Sequence, residues 1–291
     1  MKQTLFRMIL YATVLCLLCP LTVACTGGDE PGKPSLPTAA QTTAAPVTTA
    51  VAQTTQMPEE ETMKLKIGSY NIRHGGDANL DMSKLAGNIT KLGLDIVGLQ
   101  EVDQLTRRGE GIDTMKALSD ATGYAYYCFF KAIDFRGGEY GVGVLSKYPI
   151  VETERILLPS EGYEQRVLGR ATVNVDGVLI PFFVTHLSYE DLSIRTEQFA
   201  RVAEILKAYD GFILTGDFNT ANFAEFSVIE NAYTVNNSEQ KRVTFPGGSS
   251  AIDNIVYHTE AWSFGAPKTY AASYSDHYLL YSEATYIRAL P

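Results

Sequence analysis

The chain has 291 residues, of which 45% are hydrophobic and 20% charged, and its formal net charge is −9 at pH 7. A chain of this length can build a domain with a full hydrophobic core. Its acidic balance disfavours broad, sequence-independent binding of nucleic acid, which depends on a basic surface.

The N-terminal residues have the pattern of an export signal. Lys2 and Arg7 precede an apolar run over residues 8–21. The run is too short to span a membrane comfortably, and it has the length of a signal-peptide core. We therefore expect the protein to be exported.

The apolar run ends in a segment that resembles the cleavage box of bacterial lipoproteins. The segment reads Leu21-Thr22-Val23-Ala24-Cys25, although Thr22 stands where such boxes usually carry an aliphatic residue. The resemblance implies that residues 1–24 are a signal peptide and that Cys25 becomes a lipidated N-terminus. The protein would then be a membrane-anchored lipoprotein on the extracytoplasmic side. An ordinary signal peptide cleaved nearby is the alternative.

After the predicted signal peptide, a low-complexity segment precedes the rest of the chain. Residues 25–62 are rich in Thr, Ala, Pro and Gln and have no hydrophobic periodicity, so we interpret them as a low-complexity tether. Residues 63–291 contain no second linker and are interpreted as one domain. If Cys25 is lipidated, Cys128 is the one cysteine left beside it in the mature chain. No intramolecular disulfide can then form.

Within this domain, the hydrophobic pattern predicts many strands with helices inserted between them. Alternation over residues 64–71 predicts a half-buried strand, and Asp81 precedes apolar residues at helical spacing, as an N-cap does. Asp176-Gly177 between two apolar runs predicts a tight hairpin. The other predicted strands span residues 95–100, 124–130, 141–146, 152–158, 171–175, 178–184, 212–214, 252–257 and 278–281. The other predicted helices span residues 112–122, 191–209 and 224–231.

Five of the predicted strands end in acid, amide or imidazole groups. The segment Thr215-Gly216-Asp217-Phe218-Asn219 follows a buried strand, and a strand end is a rigid mount for chemistry. Alone, such a segment is typical of a turn that caps the next helix. The same form recurs in Ser69-Tyr70-Asn71, Leu99-Gln100-Glu101, Val184-Thr185-His186 and Ser275-Asp276-His277. We therefore predict that the five endings converge on one site.

The ordered set of motifs resembles the endonuclease/exonuclease/phosphatase superfamily. The motifs that carry the resemblance are Asn71, Gln100-Glu101, Tyr140-Gly-Val-Gly-Val-Leu-Ser146, His186, Gly216-Asp217-Phe218-Asn219, Ile252-Asp253 and Ser275-Asp276-His277. The resemblance implies an α+β fold, namely a four-layer α/β/β/α sandwich of two packed, mainly antiparallel sheets flanked by helices. It also implies a phosphoesterase site with a divalent metal at one end of the two sheets.

The resemblance assigns the metal and the attacking water to different residues. Glu101 is the expected ligand of Mg²⁺ or Mn²⁺, with Asn71 and Asp276 in its inner or outer shell, because hard cations prefer oxygen ligands. Asp217 is the expected residue that orients or deprotonates the water, and Asn219 is expected to hold Asp217 or a phosphate oxygen.

Further residues are expected around the phosphate. His186 and His277 would donate hydrogen bonds to it, and Asp253 would orient His277. Tyr140 is expected near the phosphate, although an aromatic residue before a strand is commonly part of a core. Glu139 is an alternative acid for orienting His186.

Basic residues are expected to assist in two further places. Arg166 resembles a recurrent family arginine and is expected to bind substrate or support the site, its alternative being a surface ion pair. Lys131, Arg136 and Lys147 form either a local basic rim for an anionic substrate or ordinary solvated charges.

We therefore predict a metal-dependent hydrolase of phosphate esters, a phosphodiesterase or a phosphatase, that acts as a monomer anchored through Cys25. The alternatives are an extracellular nuclease and a catalytically silent binding lipoprotein with the same fold. Arg73 stands where some abasic-site endonucleases carry an acid. This difference argues against a function in DNA repair, although it does not exclude other nucleases. The sequence leaves open whether the substrate is a lipid, an inositol phosphate or a nucleic acid.

Overall fold

A computed structural model of the protein describes residues 62–271 and 274–288. The predicted signal peptide and all but the last residue of the predicted tether lie outside these ranges. In the described part of the chain, no helix is both long enough and apolar enough to cross a membrane.

Strands and helices alternate along the described ranges. The strands are β1 (Lys64–Asn71), β2 (Ile96–Gln104), β3 (Tyr126–Phe135), β4 (Gly138–Ser146), β5 (Ile150–Leu157), β6 (Val167–Val175), β7 (Val178–His186), β8 (Ile213–Asp217), β9 (Ala232–Thr234), β10 (Asp253–His258), β11 (Trp262–Phe264), β12 (Lys268–Tyr270) and β13 (Leu279–Tyr286). The α-helices are α1 (Met82–Leu92), α2 (Thr114–Thr122) and α3 (Leu192–Leu206), and short 3₁₀ helices span Arg73–Ala78, Phe223–Val228 and Pro246–Gly248.

The strands form two sheets, as predicted. The first sheet has the order β11-β13-β1-β2-β4-β3, with β12 paired to β13, and the second has the order β5-β6-β7-β8-β10-β9. Each sheet contains one parallel pair among antiparallel ones, β1 with β2 and β7 with β8. The carboxyl ends of a parallel pair lie at the same edge of a sheet. Each sheet therefore brings two strand ends together.

Each α-helix begins where the local sequence predicts a cap. The carboxylates of Asp81, Asp113 and Asp191 accept hydrogen bonds from backbone N–H groups in the first turns of α1, α2 and α3. These bonds satisfy N–H groups that have no partner inside the helix. Gly93 and Gly123 end α1 and α2 in the left-handed conformation that glycine adopts without strain.

Three hydrophobic clusters in the described residues hold the layers together. One lies between the two sheets and includes Ile67, Val144, Phe182 and Ile213. A second packs α1 and α2 onto the first sheet, and a third packs α3 onto the second sheet. Two helical layers thus cover two sheets that face one another, which confirms the predicted four-layer α/β/β/α sandwich.

The structure corrects the expected environment of β1. The strand was predicted to be half-buried, but Tyr70 is as fully buried as Ile67. Ile67 faces the opposite sheet, whereas Tyr70 packs under α1. A central strand that is covered on both faces is buried throughout. The alternation of apolar and polar residues in the sequence does not reveal that α1 covers the second face.

Two glycines let the backbone approach closely behind the strand ends. A side chain on Gly98 of β2 would overlap the side chain of Thr215 in β8, in the opposite sheet. A Cβ atom on Gly216 would lie 2.9 Å from the carbonyl oxygen of Thr185. Gly98 therefore lets the first sheet approach the second where β2 faces β8, and Gly216 lets β7 and β8 pack closely within the second sheet.

Candidate active site

Three polar residues form a row across one end of the second sheet. His186 ends β7 and is paired in register with Asp217, which ends β8. Asp253 begins β10 and is paired with Asp217 on its other side. Because the row is fixed by strand pairing, these side chains rest on rigid supports.

The first sheet places Asn71 and Glu101 beside this row by different means. Asn71 ends β1 as predicted, but β2 continues past Glu101 to Gln104. Glu101 lies at a bulge in the pairing of β2 with β4, and its φ is 55°. The bulge redirects the side chain toward the site. The prediction that Glu101 follows the strand end is therefore corrected.

Asp276 and His277 reach the site from the start of a strand. The Ser275-Asp276-His277 segment lies in a turn before β13, so the prediction that it ends a strand is wrong. Because β13 runs antiparallel to β1, its beginning lies beside the end of β1. The Ser275 hydroxyl donates a hydrogen bond to the Asn71 carbonyl oxygen at 2.7 Å and accepts one from the His277 N–H at 3.2 Å.

Asn71 connects the two sheets at this end. Its Nδ2 donates to Glu101 Oε1 at 3.0 Å and to Asp217 Oδ2 at 3.0 Å. Its Oδ1 accepts from the backbone N–H of Arg73 at 3.0 Å. The amide group therefore holds two carboxylates at a fixed separation.

Asp217, Asp253 and His277 form a buried acid–imidazole cluster. His277 Nδ1 lies 2.9 Å from Asp253 Oδ2, and His277 Nε2 lies 3.7 Å from Asp217 Oδ2. Burial alone would lower the pKa of His277, but the charges of Asp253 and Asp217 outweigh it and raise the pKa to about 10. Burial, helped by the charge of Asp253, raises the pKa of Asp217 to about 7. The cluster thus contains a protonated imidazole beside a carboxylate that titrates near neutral pH.

His186 is held in its neutral form. Asn219 Nδ2 donates to the Leu187 carbonyl oxygen at 2.9 Å, which fixes the orientation of the amide. The same Nδ2 lies 3.0 Å from His186 Nε2, and Asp217 Oδ2 lies 3.5 Å from that nitrogen. Burial, together with the charges of Arg166 and His277, lowers the pKa of His186 well below its usual value.

Glu139 does not orient His186. It pairs with Lys131 at 3.0 Å, while His186 Nδ1 is buried and has no hydrogen-bond partner in residues 62–271 and 274–288. This alternative is therefore wrong. Tyr140, Arg166 and His186 instead line a cavity of about 10 Å³ between the sheets, and Arg166 Nε is likewise buried without a partner.

The carboxylates of Glu101 and Asp276 suit a hard divalent cation. Asp276 Oδ1 is buried and has no partner among the described residues, while Asp276 Oδ2 lies 3.4 Å from Arg73 Nε. Burial raises the pKa of Glu101, and the charge of Asp276 raises it further. Two carboxylates that disfavour one another's charge would both gain from a shared cation.

A second group of possible ligands is the acid–imidazole cluster itself. Ligand atoms of Asp217, Asp253 and His277 lie within 4.8 Å of one another. His277 is a metal ligand only when it is deprotonated, and the flanking carboxylates favour its protonated form. We therefore favour Glu101 and Asp276 as the metal side and the cluster as the proton-handling side.

Two residues that support the cluster were not predicted from the sequence. Thr244 Oγ1 accepts from the backbone N–H groups of Ile252 and Asp253, each at 3.1 Å, and so fixes the start of β10. The ring of Phe245 lies 5.0 Å from the ring of His277, measured between centroids. Both belong to a loop whose contacts form only in the folded chain, so no local pattern marks them.

Comparisons with known proteins agree with this geometry. A family model described as Endonuclease/Exonuclease/phosphatase family matches residues 68–277. An endonuclease/exonuclease/phosphatase from Beutenbergia cavernae is similar in structure, with a TM-score of 0.68 and 21% identity over 78% of this chain and 72% of that one. At this identity the likeness shows a shared fold.

Two further solved structures with the same fold have described activities or ligands. The mannosyl-6-phosphatase Bt3783 of Bacteroides thetaiotaomicron has a TM-score of 0.61 and 20% identity, over 76% of this chain and 99% of that one. The D. rerio TDP2, complexed with a single-strand DNA product, has a TM-score of 0.60 and 22% identity, over 76% of this chain and 98% of that one.

Proposed function

The chain belongs to the endonuclease/exonuclease/phosphatase family, and from this premise we propose that it is a Mg²⁺- or Mn²⁺-dependent hydrolase of phosphate esters. The family is one of hydrolytic phosphoesterases that generally use divalent metals. The finer proposal concerns which residues act, which ester is cleaved and where the protein works.

One observation carries the proposal, namely the contact between a titratable carboxylate and an imidazolium. Asp217 Oδ2 lies 3.7 Å from His277 Nε2. The pKa of Asp217 is raised to about 7, whereas that of His277 is raised to about 10. One group can therefore accept a proton near neutral pH while its neighbour keeps a positive charge, which is what hydrolysis of an anionic ester requires.

In the proposed reaction, Asp217 accepts a proton from the attacking water. The water oxygen forms a bond to phosphorus as the bond from phosphorus to the ester oxygen breaks, and the ester oxygen takes up a proton from solvent and leaves as an alcohol. His277 donates a hydrogen bond to the phosphoryl oxygens, whose charge grows during the step, and Asp253 holds its ring. Asn71 and Asn219 fix the Asp217 carboxylate through bonds to Oδ2 and Oδ1, both 3.0 Å long.

Glu101 and Asp276 would hold the metal ion, with Asn71 beside them. A divalent ion bound there would neutralise phosphate charge and favour ionisation of a bound water. Tyr140, Arg166 and His186 lie on the adjoining side of the site, where Tyr140 and Arg166 would help to bind the ester. Because His186 Nε2 lies 3.0 Å from Asn219 Nδ2 and 3.5 Å from Asp217 Oδ2, we propose that His186 positions these two residues rather than contacting the phosphate.

We further propose that the enzyme is exported and anchored through a lipidated Cys25, and that residues 63–291 act as a monomeric catalytic domain. The N-terminal sequence pattern supports this proposal. A Cys25→Ser variant should leave the membrane fraction, and unchanged retention would contradict the lipid anchor. A protein beginning at Glu61 should remain soluble and active.

Hydrolysis of a substrate panel tests the proposed function. The full chain, solubilised in detergent, is assayed with Mg²⁺ or Mn²⁺ on bis-p-nitrophenyl phosphate, p-nitrophenyl phosphate, inositol phosphates, sphingomyelin and plasmid DNA. We expect metal-dependent turnover of at least one phosphate ester, with loss in the Asp217→Asn variant. Turnover confined to DNA would favour the nuclease alternative, and no turnover of any ester would favour a silent binding protein.

A further inference from the structure

Three arginines lie on two joined loops beside the candidate site. Arg107 and Arg108 belong to the loop between β2 and α2, and Arg136 belongs to the turn between β3 and β4. The backbone N–H of Arg107 donates to the carbonyl oxygen of Arg136 at 3.0 Å, which joins the loops. We call these three residues the arginine rim.

Arg108 is held in one orientation by a buried acid. Its Nε and Nη2 each donate to the carboxylate of Asp103 at 2.7 Å. Asp103 is 1% exposed and also accepts from Thr106 Oγ1 at 2.6 Å. A guanidinium fixed by two parallel bonds loses little freedom when it binds a further group.

The same guanidinium lies next to the site. Its Cζ is 4.5 Å from the ring centroid of Phe135 and 5.6 Å from that of Tyr140, which is paired with Asp103 in the sheet. Its charge acts on both Glu101 and Tyr140. A quarter of the Arg108 side chain is exposed, and the pair with Asp103 leaves Nη1 free of that carboxylate.

The other two members of the rim have charges available for a ligand. Arg107 and Arg136 are exposed, and neither takes part in an ion pair within residues 62–271 and 274–288. The sequence had grouped Arg136 with Lys131 and Lys147 instead. Lys131 pairs with Asp134 and Glu139, and Lys147 pairs with Asp95. Arg108 is paired as well, with Asp103, so Arg107 and Arg136 carry the unpaired positive charge of the rim and Arg108 offers it a fixed donor, Nη1.

We propose that the arginine rim binds a second phosphate group of the substrate, close to the phosphate that is cleaved. This inference rests on the proposed function and narrows its substrate to a compact molecule with two phosphates, such as a sugar or polyol bisphosphate. The guanidinium fork matches phosphate oxygens. The rim is a local basic patch on a chain of net charge −9. A small basic patch on an acidic protein favours a compact bisphosphate over a long polyanion such as a nucleic acid.

The rim also lies apart from the groups assigned to the cleaved phosphate. No hydrogen bond or ion pair of the described residues joins Arg108 to Asp217 or His277. Arg108 instead adjoins Glu101 and Tyr140, on the first sheet. A second phosphate at the rim would therefore not compete for the groups assigned to the reacting phosphate.

The test compares glucose 1,6-bisphosphate with glucose 6-phosphate, using the full chain. The quantity compared is kcat/KM for the bisphosphate divided by kcat/KM for the monophosphate. In wild type this ratio should be about 10 or more, which is the effect of one charge-assisted hydrogen bond. Arg136→Gln and Arg107→Gln should each lower this ratio by about 3-fold or more, and Arg108→Gln should lower it further. Raising the salt concentration should also lower the ratio, because the arginines are partly exposed.

Lys207→Gln is the matched control, because Lys207 is exposed and caps α3 at the end remote from His186. This variant should keep the wild-type ratio. Arg107 and Arg136 are surface residues, so their variants remain informative if Arg108→Gln fails to fold. A wild-type ratio near one, or a ratio unchanged by the arginine variants, would overturn the proposal. Preference for a short oligonucleotide over the bisphosphate would also overturn it.

The inference and the proposed function fail in different ways. If phosphate esters are hydrolysed without preference for a second phosphate, the rim proposal fails and the proposed function stands. If no ester is hydrolysed, the proposed function fails, and calorimetric binding of the two glucose phosphates to wild type and Arg136→Gln decides the inference. Equal affinities in wild type would then contradict it, and a bisphosphate preference lost in Arg136→Gln would support it.

Discussion

The candidate site has two halves that treat charge differently. The imidazolium half consists of Asp217, Asp253 and His277, in which a cation lies between two buried carboxylates. The carboxylate half consists of Asn71, Glu101 and Asp276, in which a neutral amide accompanies two acids. The first half contains its own cation, whereas the second has only Arg73 at its edge, 3.4 Å from Asp276 Oδ2. Among the described residues, each half leaves one carboxylate oxygen buried without a partner, Asp253 Oδ1 in the first and Asp276 Oδ1 in the second. The difference indicates that one half handles protons and the other requires an added cation.

Removal of metal should have the largest effect, because it leaves the carboxylate half without its cation. We expect EDTA to abolish turnover and Mg²⁺ or Mn²⁺ to restore it. The measurement is kcat/KM before and after chelation, with circular dichroism to show that the fold persists. Full activity in excess EDTA would mean that the carboxylate half works without a metal.

In the imidazolium half, His277→Ala removes the donor to the phosphoryl oxygens. We expect kcat to fall by about 10²–10³-fold. The matched control is His258→Ala, since His258 is also buried but lies at the opposite end of β10, against Phe212. Similar losses of kcat in the two folded variants would indicate a loss of stability and not a role of His277 in the reaction.

Asp217→Asn keeps the size of the side chain but removes the carboxylate that accepts the proton. We expect kcat to fall by about 10²-fold, while substrate affinity changes little. Rate measurements at saturating substrate and equilibrium binding separate the two effects. A near-normal kcat would show that another group accepts the proton.

Asp253→Asn should have a smaller effect, because it acts through His277. We expect a loss of about 10–100-fold, and little further loss when it is combined with His277→Ala. The charge of Asp253 raises the pKa of His277, so its removal should lower that pKa. The alkaline limb of the pH–rate profile, where His277 loses its proton, should therefore move to lower pH. Additive losses of kcat/KM in the double variant, or an alkaline limb at the same pH as in wild type, would show that Asp253 does not act through His277.

The sequence predicted the fold well where the determinant was local. Asp176-Gly177 forms the tight turn between β6 and β7, with both residues at positive φ. The N-cap at Asp81 and the strands that end at Asn71, His186 and Asp217 also agree with the predicted pattern. These features depend on residues close together in the chain, which a pattern can detect.

The sequence predicted less where the determinant was distant. The bulge that turns Glu101 arises from the pairing of β2 with β4, and the position of His277 arises from the pairing of β13 with β1. The bond between Asp103 and Arg108 joins residues whose spacing is not a known signal. Such contacts require the folded sheet before they can be recognised.

Metal affinity tests the division of the site most directly. Calorimetric titration of Mg²⁺ into wild type, Glu101→Gln and Asp253→Asn compares the two halves without any assay of turnover. If the carboxylate half holds the ion, Glu101→Gln should weaken binding by about 10-fold or more, and Asp253→Asn should change it by less than about 2-fold. A loss of affinity in Asp253→Asn as large as that in Glu101→Gln would place the ion in the imidazolium half and contradict this account.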